Sequence, residues 1–555
     1  MVQSKKVISL MVLALGIRGP AAETRWTAVR GDGYSVVTDA GSSTATKMAL
    51  RLEQMRSLLG GSNKTLPLRV ILFNRGSLFE SLRPSVASGA FYQSSADNDW
   101  IAVQWGRPDS ERALSHEIVH AFMEHSGPRR ALWLEEGLAE FYSTAVLDSK
   151  GWRIGPPIES HVQVLNNSAW LGEREFFEAA ADSPLRNEGS REGKFYAQSW
   201  AVVHYLLTAP SVREKSPLLF SALADGVPFA RACESTLGMR QGLLLESARR
   251  VVEQQRFATA RIAASTEIRP ASASVFLPPD EANSLLVSLS LAAGKPDLAR
   301  QLTVTPGQRG LLALGDGSRA DAEKSFGEAI ANGATDAAPY FELAILLRDD
   351  GREPERVATL LRSAIERNPN HAEAHFLLGL RAAANGDDES AIDYFQSAAR
   401  VLPRQATFWH ALALALARTG RLPEAGHAAL RCRQAARNAG EREMAAGIER
   451  LIDTSEKRVA ATAKPAVHVP ESWQGLRGDA TVEGELVAFD CDASPPLALV
   501  ETEGQRLSLR VMKPSAIRIG GTGSIRHTLQ CGPQKAAVRV EYQRTTNELT
   551  AIEFK

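Results

Sequence analysis

The chain has 555 residues, 44% of them hydrophobic, which is enough to bury more than one core, so two to four domains are expected. Lys+Arg and Asp+Glu balance at 64 each, so no global field draws in nucleic acid or an anionic membrane surface, and both are disfavoured as partners.

Residues 1–22 read as an export signal. Lys5 and Lys6 precede an apolar run over 7–17, and Gly19, Pro20, Ala21 and Ala22 offer small residues for cleavage. The run is too short to span a bilayer comfortably, and no other stretch is a transmembrane candidate. No cysteine lies near its end to carry a lipid. The expected location is the periplasm or the cell exterior.

From residue 24 to 104 strands and helices mix. Residues 34–38 and the β-branched stretch 66–73 read as strands, 45–59 has helical spacing, and two short strands are expected near 88–93 and 100–104. The next helix carries His116 and His120, four residues apart and so on one face. Two imidazole nitrogens one turn apart can both reach a Zn²⁺ at about 2.0–2.1 Å. Glu117 lies beside the first histidine, where its carboxylate can reach a water on that ion, completing an H-E-x-x-H arrangement of two ligands and a general base. Pro108, Asp109 and Ser110 start this helix, and Ser126, Gly127 and Pro128 stop it. An ordinary amphipathic helix with two histidines would look the same; what separates the two readings is the helix that follows. There Glu136 is the best third ligand, because a loop through Gly127 and Pro128 turns the second helix back onto the first. Glu135 competes but points off that face. Glu140, one turn beyond Glu136, can accept the spare ring N–H of His116 or His120.

Here the sequence resembles the gluzincin metallopeptidases, the superfamily of thermolysin and aminopeptidase N. The match runs through H-E-x-x-H into Trp133, Leu134, Glu136, Gly137, Ala139 and Glu140. The resemblance implies an α+β peptidase domain over 23–267, with zinc held by His116, His120 and Glu136. It also implies an edge strand beside the metal helix that pairs with an extended substrate, either 90–93 or 101–104. Aminopeptidases of the superfamily place a glutamate there for the substrate amine. Gly89, Ala90, Phe91 and Tyr92 supply none, which leans the reading towards an endopeptidase.

Residues 150–265 read as mostly helical. Tyr196 opens one of these helices, and by the same resemblance it would hydrogen-bond the oxyanion of the tetrahedral intermediate; a buried tyrosine bonded to backbone is the equal alternative. His204 reads as packing, His125 as a cation in the last turn of the metal helix, and His161 has no spacing that adds a ligand.

After residue 268 a repeat begins. The unit 372–405 carries Gly379, Gly386, Ala391, Phe395, Ala398 and Pro403 at small, turn, small, large, small and stop positions, and so resembles a tetratricopeptide repeat. The unit from Ala406 repeats it with Ala413, Gly420 and Ala425. The preceding unit has Ala344, Gly351, Ala364 and Pro369, and degenerate units are expected around 281–302 and 310–332. The expectation is a helical array over 268–453 that takes a peptide or partner protein on its concave face, with a passive spacer as the bland alternative. Residues 441–452 read as its polar capping helix, and 454–471 as a linker. Six short strands then suggest a small β-barrel or sandwich over 472–555, where an oxidising compartment would permit a disulfide between Cys491 and Cys531. Cys233 and Cys432 read as buried thiols.

The chain is thus expected to be multidomain: a gluzincin-like peptidase domain, an all-α tetratricopeptide-repeat solenoid and an all-β C-terminal domain. Zinc-dependent peptide-bond hydrolysis is the first expectation. An interaction scaffold with a vestigial or structural metal site is the second, and zinc-dependent hydrolysis of a non-protein amide the third.

Overall fold

The computed structural model describes residues 25–60, 66–84, 89–127, 129–179, 190–264, 268, 272–302, 304–462, 478–514, 517–521 and 531–555. The export signal lies outside them. The chain forms two compact units, one through Glu456 and one from Lys457.

The first unit opens with β1 (Thr27–Gly31), β2 (Tyr34–Thr38), α1 (Ser42–Leu59), β3 (Leu68–Phe73), α2 (Gly76–Leu82), β4 (Ala90–Ser94), β5 (Asp99–Gln104), α3 (Ser110–His125) and α4 (Leu132–Ser143). It continues through β6 (Val146–Asp148), β7 (Gly151–Ile154), α5 (Glu159–Asn167), α6 (Glu173–Phe177), α7 (Ser190–Thr208), α8 (Ser216–Ala224), α9 (Phe229–Ala232), a π-helical turn (Cys233–Leu237), α10 (Gln241–Glu253), β8 (Ala260–Ile262) and β9 (Val275–Phe276).

Strand periodicity explains the layers. Val29, Val36, Val70, Leu72, Ile101 and Val103 point to one side of a six-stranded sheet and pack on α1 and α3. Their neighbours Ala28, Val37, Ile71, Phe73 and Ala102 point to the other side. The sheet order is β4-β5-β3-β2-β1-β9, so β4 is an edge, paired antiparallel to β5. Strands β6, β7 and β8 form a second, antiparallel sheet, with β7 and β8 inside the region read as mostly helical. Strands this short give no usable alternation, and β8 is remote in sequence from its partner.

The array comprises α11 (Pro279–Ala292), α12 (Pro296–Arg300), α13 (Pro306–Gly315), α14 (Arg319–Ala331), α15 (Ala338–Asp349), α16 (Pro354–Arg367), α17 (Ala372–Ala384), α18 (Asp388–Val401), α19 (Ala406–Arg418), α20 (Leu422–Ala435) and α21 (Ala439–Thr462). Gly317, Gly351, Gly386 and Gly420 all take left-handed φ at the turn within each pair, where a side chain would be strained. In α17 a Cβ on Gly379 would stand 2.6 Å from the Phe395 ring of α18, and Gly310 lies just as close to Phe326 in α13 and α14. The same small-against-large contact marks the degenerate unit as a true repeat.

Two boundaries differ from the expectation. β9 pairs with β1, and Ala282, Leu286 and Leu289 of α11 cover the second face of the six-stranded sheet beside Phe73 and Phe79. The 267/268 division therefore cuts through one core. Helix α21 also runs to Thr462, into the expected linker, because Glu456, Lys457, Arg458, Ala460 and Ala461 are good helix formers. The rest of that linker lies outside the described residues.

The second unit contains β10 (Ala480–Asp490), β11 (Leu497–Thr502), β12 (Gln505–Arg510), β13 (Arg518–Gly521), β14 (Gly532–Gln543) and β15 (Glu548–Phe554). They form one sheet, β12-β11-β10-β14-β15-β13, and a further β12–β15 pairing curls it towards closure. Cys491 and Cys531 are joined by a disulfide. Cys233 and Cys432 are free and buried.

Candidate metal centre

Helices α3 and α4 form an antiparallel hairpin, and α4 packs in turn on α7. The 116/120 and 136/140 pairs are each one turn apart, so both helices offer polar atoms to the seam between them. His116 Nε2 and His120 Nε2 lie 3.0 Å apart, and Glu136 Oε2 is 3.2 Å from His120 Nε2 and 3.5 Å from His116 Nε2. Among the described residues this is the one group of three or more His, Cys, Asp or Glu side chains whose ligand atoms gather closely enough for a metal. Ligand atoms about 2.0–2.2 Å from a tetrahedral ion stand roughly 3.3–3.5 Å from each other. The donor set of two imidazoles and a carboxylate is of a kind that zinc takes, and its three separations lie within a few tenths of an ångström of that spacing.

The electrostatics favour a cation here. Burial works against a charged His116, yet Glu140, Glu136 and Glu117 overrule it and push its pKa up to about 9. Burial likewise opposes ionisation of Glu136, but His120 and His116 hold its carboxyl below the usual range. Glu117, desolvated between these groups, is raised despite both histidines.

Glu140 gathers a second layer of polar groups behind His116. Its Oε1 lies 3.4 Å from His116 Nδ1, and its Oε2 accepts from Arg112 Nη1 at 2.6 Å and lies 3.2 Å from His161 Nε2. Against the desolvation of this site, His161, His116 and Arg112 carry the Glu140 carboxyl down to about 2. Arg112 is a partner that the sequence pattern did not bring out, and His161, which adds no ligand, meets Glu140 instead. Arg112 had a signal, standing one turn before His116 on the same face; His161 had none, because α5 reaches Glu140 only in the folded chain.

The Tyr196 ring stands 6.2 Å from that of His116 and nearly perpendicular to it, so α7 brings this residue to the site. Glu135 faces away, accepting from Arg404 Nη2 at 2.7 Å. His125 does stand in the last turn of α3, and although burial opposes its charge, Asp99 raises its pKa. It is buried, with Nδ1 donating to Val401 O at 2.8 Å and Nε2 2.5 Å from Asp99 Oδ2. His204 packs among Phe141, Trp200 and Phe257 with Nε2 3.0 Å from Gly155 O.

Residues 341–400 and 390–439 match the tetratricopeptide repeat family. Among solved structures, a crystal structure of MamA protein is 18% identical over 29% of this chain and 96% of its own, with a TM-score of 0.22. MamA 41-end from Desulfovibrio magneticus RS-1 is 18% identical over 27% of this chain and 92% of its own, TM-score 0.21. YrrB, described as a TPR protein with an unusual peptide-binding site, is 17% identical over 30% and 90%, TM-score 0.23. No curated protein matches the chain.

Proposed function

We propose that the chain is an exported zinc metallopeptidase of the gluzincin type, leaning to endopeptidase action, whose tetratricopeptide repeats bind a protein or peptide partner. The observation that carries this reading is the convergence of His116, His120 and Glu136 on one point with Glu117 next in chain to the first of them. Zinc held by those three side chains would supply Lewis acidity, polarising the scissile carbonyl and acidifying a water. Glu117, half-buried and raised in pKa by desolvation, takes the proton of the attacking water and passes it to the departing amine. Glu140 fixes the ring of His116 through Nδ1. Tyr196, whose ring lies beside that of His116, would donate to the oxyanion. The open edge of β4, in the sheet that α3 packs on, suits an extended peptide. Export agrees with the Cys491–Cys531 disulfide, and no helix among the described residues is long and apolar enough to cross a membrane.

The repeat match favours a second reading, a non-catalytic interaction scaffold whose metal site is structural. Digestion of a casein-type protein mixture separates the two. Cleavage that a chelator stops and zinc restores supports the peptidase, and Glu117→Gln is expected to keep zinc yet lose cleavage. Retained cleavage in that variant discards the assigned base, and a zinc-loaded wild type that cleaves nothing favours the scaffold.

A further inference from the structure

Four polar residues recur every fourth position along α3: Arg112, His116, His120 and Glu124. The first meets Glu140 and the middle two meet Glu136, all within the α3–α4 hairpin. The last is answered from the repeat array. Arg404, in the turn between α18 and α19, is only 4% exposed. Its Nη1 donates to Glu124 Oε2 at 3.0 Å and its Nη2 to Glu135 Oε1 at 2.7 Å. Glu124 is one turn beyond His120, and Glu135 is the residue before Glu136. One guanidinium therefore spans the end of the first ligand helix and the start of the second, at the open end of the hairpin's loop.

The surrounding contacts seat that turn. Val401 O, at the end of α18, accepts from His125, and Leu66 packs among Ala398, Val401, Leu402 and Phe408. Further along the array, Asn368 Nδ2 donates to Asp97 Oδ1 at 3.0 Å, in the turn between β4 and β5. Arginine is the residue type for this position, because its rigid fork sets the distance between two carboxylates and a lysine ammonium does not. Metal ligands must hold their distances to within about 0.2 Å, so a strut that fixes the separation of α3 and α4 acts on the metal.

We propose that Arg404 is a positioning residue for the metal centre, by which the docked repeat array sets the spacing of α3 and α4 and so the affinity of His116, His120 and Glu136 for their ion. The inference rests on the metal-site reading above, and its test reads the ion rather than peptide cleavage. Full-length protein is titrated with Zn²⁺ against a competing chelator, and with Co²⁺ to record the visible spectrum. Arg404→Met is expected to weaken zinc binding about tenfold, the lower end for residues that orient ligands, and to change the cobalt bands while helical content stays the same. Arg404→Lys is expected to recover only part of the loss. Arg418→Met, which removes an exposed pair with Asp388 in the same array, is expected to bind as wild type. Wild-type affinity in Arg404→Met, or an equal loss in Arg418→Met, overturns the proposal while leaving the peptidase reading intact. Wild-type protein that takes up no ion overturns both. If Arg404→Met does not fold, Glu135→Gln tests the same contact with size and one acceptor kept; an unchanged cobalt spectrum there is equally decisive against it.

Discussion

Gly137 sits beside Glu136 where α4 crosses α7, and a single methyl there tests how the proposed third ligand is held. A Cβ at this position would stand 2.9 Å from the carbonyl carbon of Ser199, and closer still to Ser199 O and to Val203 Cγ2. Ordinary carbon contacts are about 3.5–4.0 Å. Two of the three obstacles are backbone atoms of a buried stretch of α7, so no rotamer change relieves the overlap. Gly137 has ordinary helical φ, so on propensity alone alanine would stabilise by roughly 0.5–1 kcal/mol. Overpacking costs about 1–3 kcal/mol, and a backbone obstacle places this site at the upper end. The net expectation for Gly137→Ala is a loss of about 2 kcal/mol. A methyl on Gly327, within α14, would meet no atom within 4 Å, so Gly327→Ala is expected to gain roughly 0.5–1 kcal/mol. Melting of the full chain reads both: at about 2–4 °C per kcal/mol, Gly137→Ala falls by roughly 4–8 °C and Gly327→Ala rises slightly. Because α4 must back away from α7, Gly137→Ala is also expected to lose zinc affinity. A variant that melts at or above wild type and keeps its affinity refutes the close crossing.

Three other outcomes are expected. Glu140→Gln keeps the shape but removes the charge facing His116, His161 and Arg112, so chelator competition should show zinc affinity down by about tenfold or more; unchanged affinity would refute its orienting role. Although burial alone would lower it, the Asp99 hydrogen bond raises the His125 pKa above its unfolded value near 6.5, so that pair contributes fully below about pH 6.5 and less as pH climbs through the raised value. The denaturation gap between wild type and His125→Asn should therefore narrow from pH 6 to pH 9, and a gap that widens contradicts the buried pair. Cys491→Ser opens a link between residues 40 apart, worth about 4 kcal/mol in chain entropy, and should lower the unfolding midpoint of the β-unit, as should reductant on wild type.

Short-range order was what the sequence disclosed. The 116/120 and 136/140 pairs could be read because helical period alone puts each pair on one face, and the array because its small, turn and large positions recur in α13 to α20. What stayed hidden depends on distant partners. His125 is in the last helical turn as expected, but its burial against Asp99 and Val401, the latter 276 residues away, left no local sign. Arg404 reads as one more charge in a repeat turn until Glu124 and Glu135 are beside it. The 267/268 boundary failed for the same reason, since the apolar spacing of α11 fits a repeat helix and a sheet cover equally well.

That cover has a consequence for the growing chain. The face carrying Ala28, Val37, Ile71 and Phe73 is complete once β5 has been made, but its lid is encoded from Pro279 onward. At about 5–20 residues per second, synthesis needs roughly ten to thirty-five seconds to reach it. During that interval the nascent sheet presents a greasy side covered only in part, by Phe79 and Leu82 of α2, and an edge at β1 still waiting for β9. Anything that binds exposed apolar surface would find its grip there, and a chain cut short before α11 would leave that part of the face open for good.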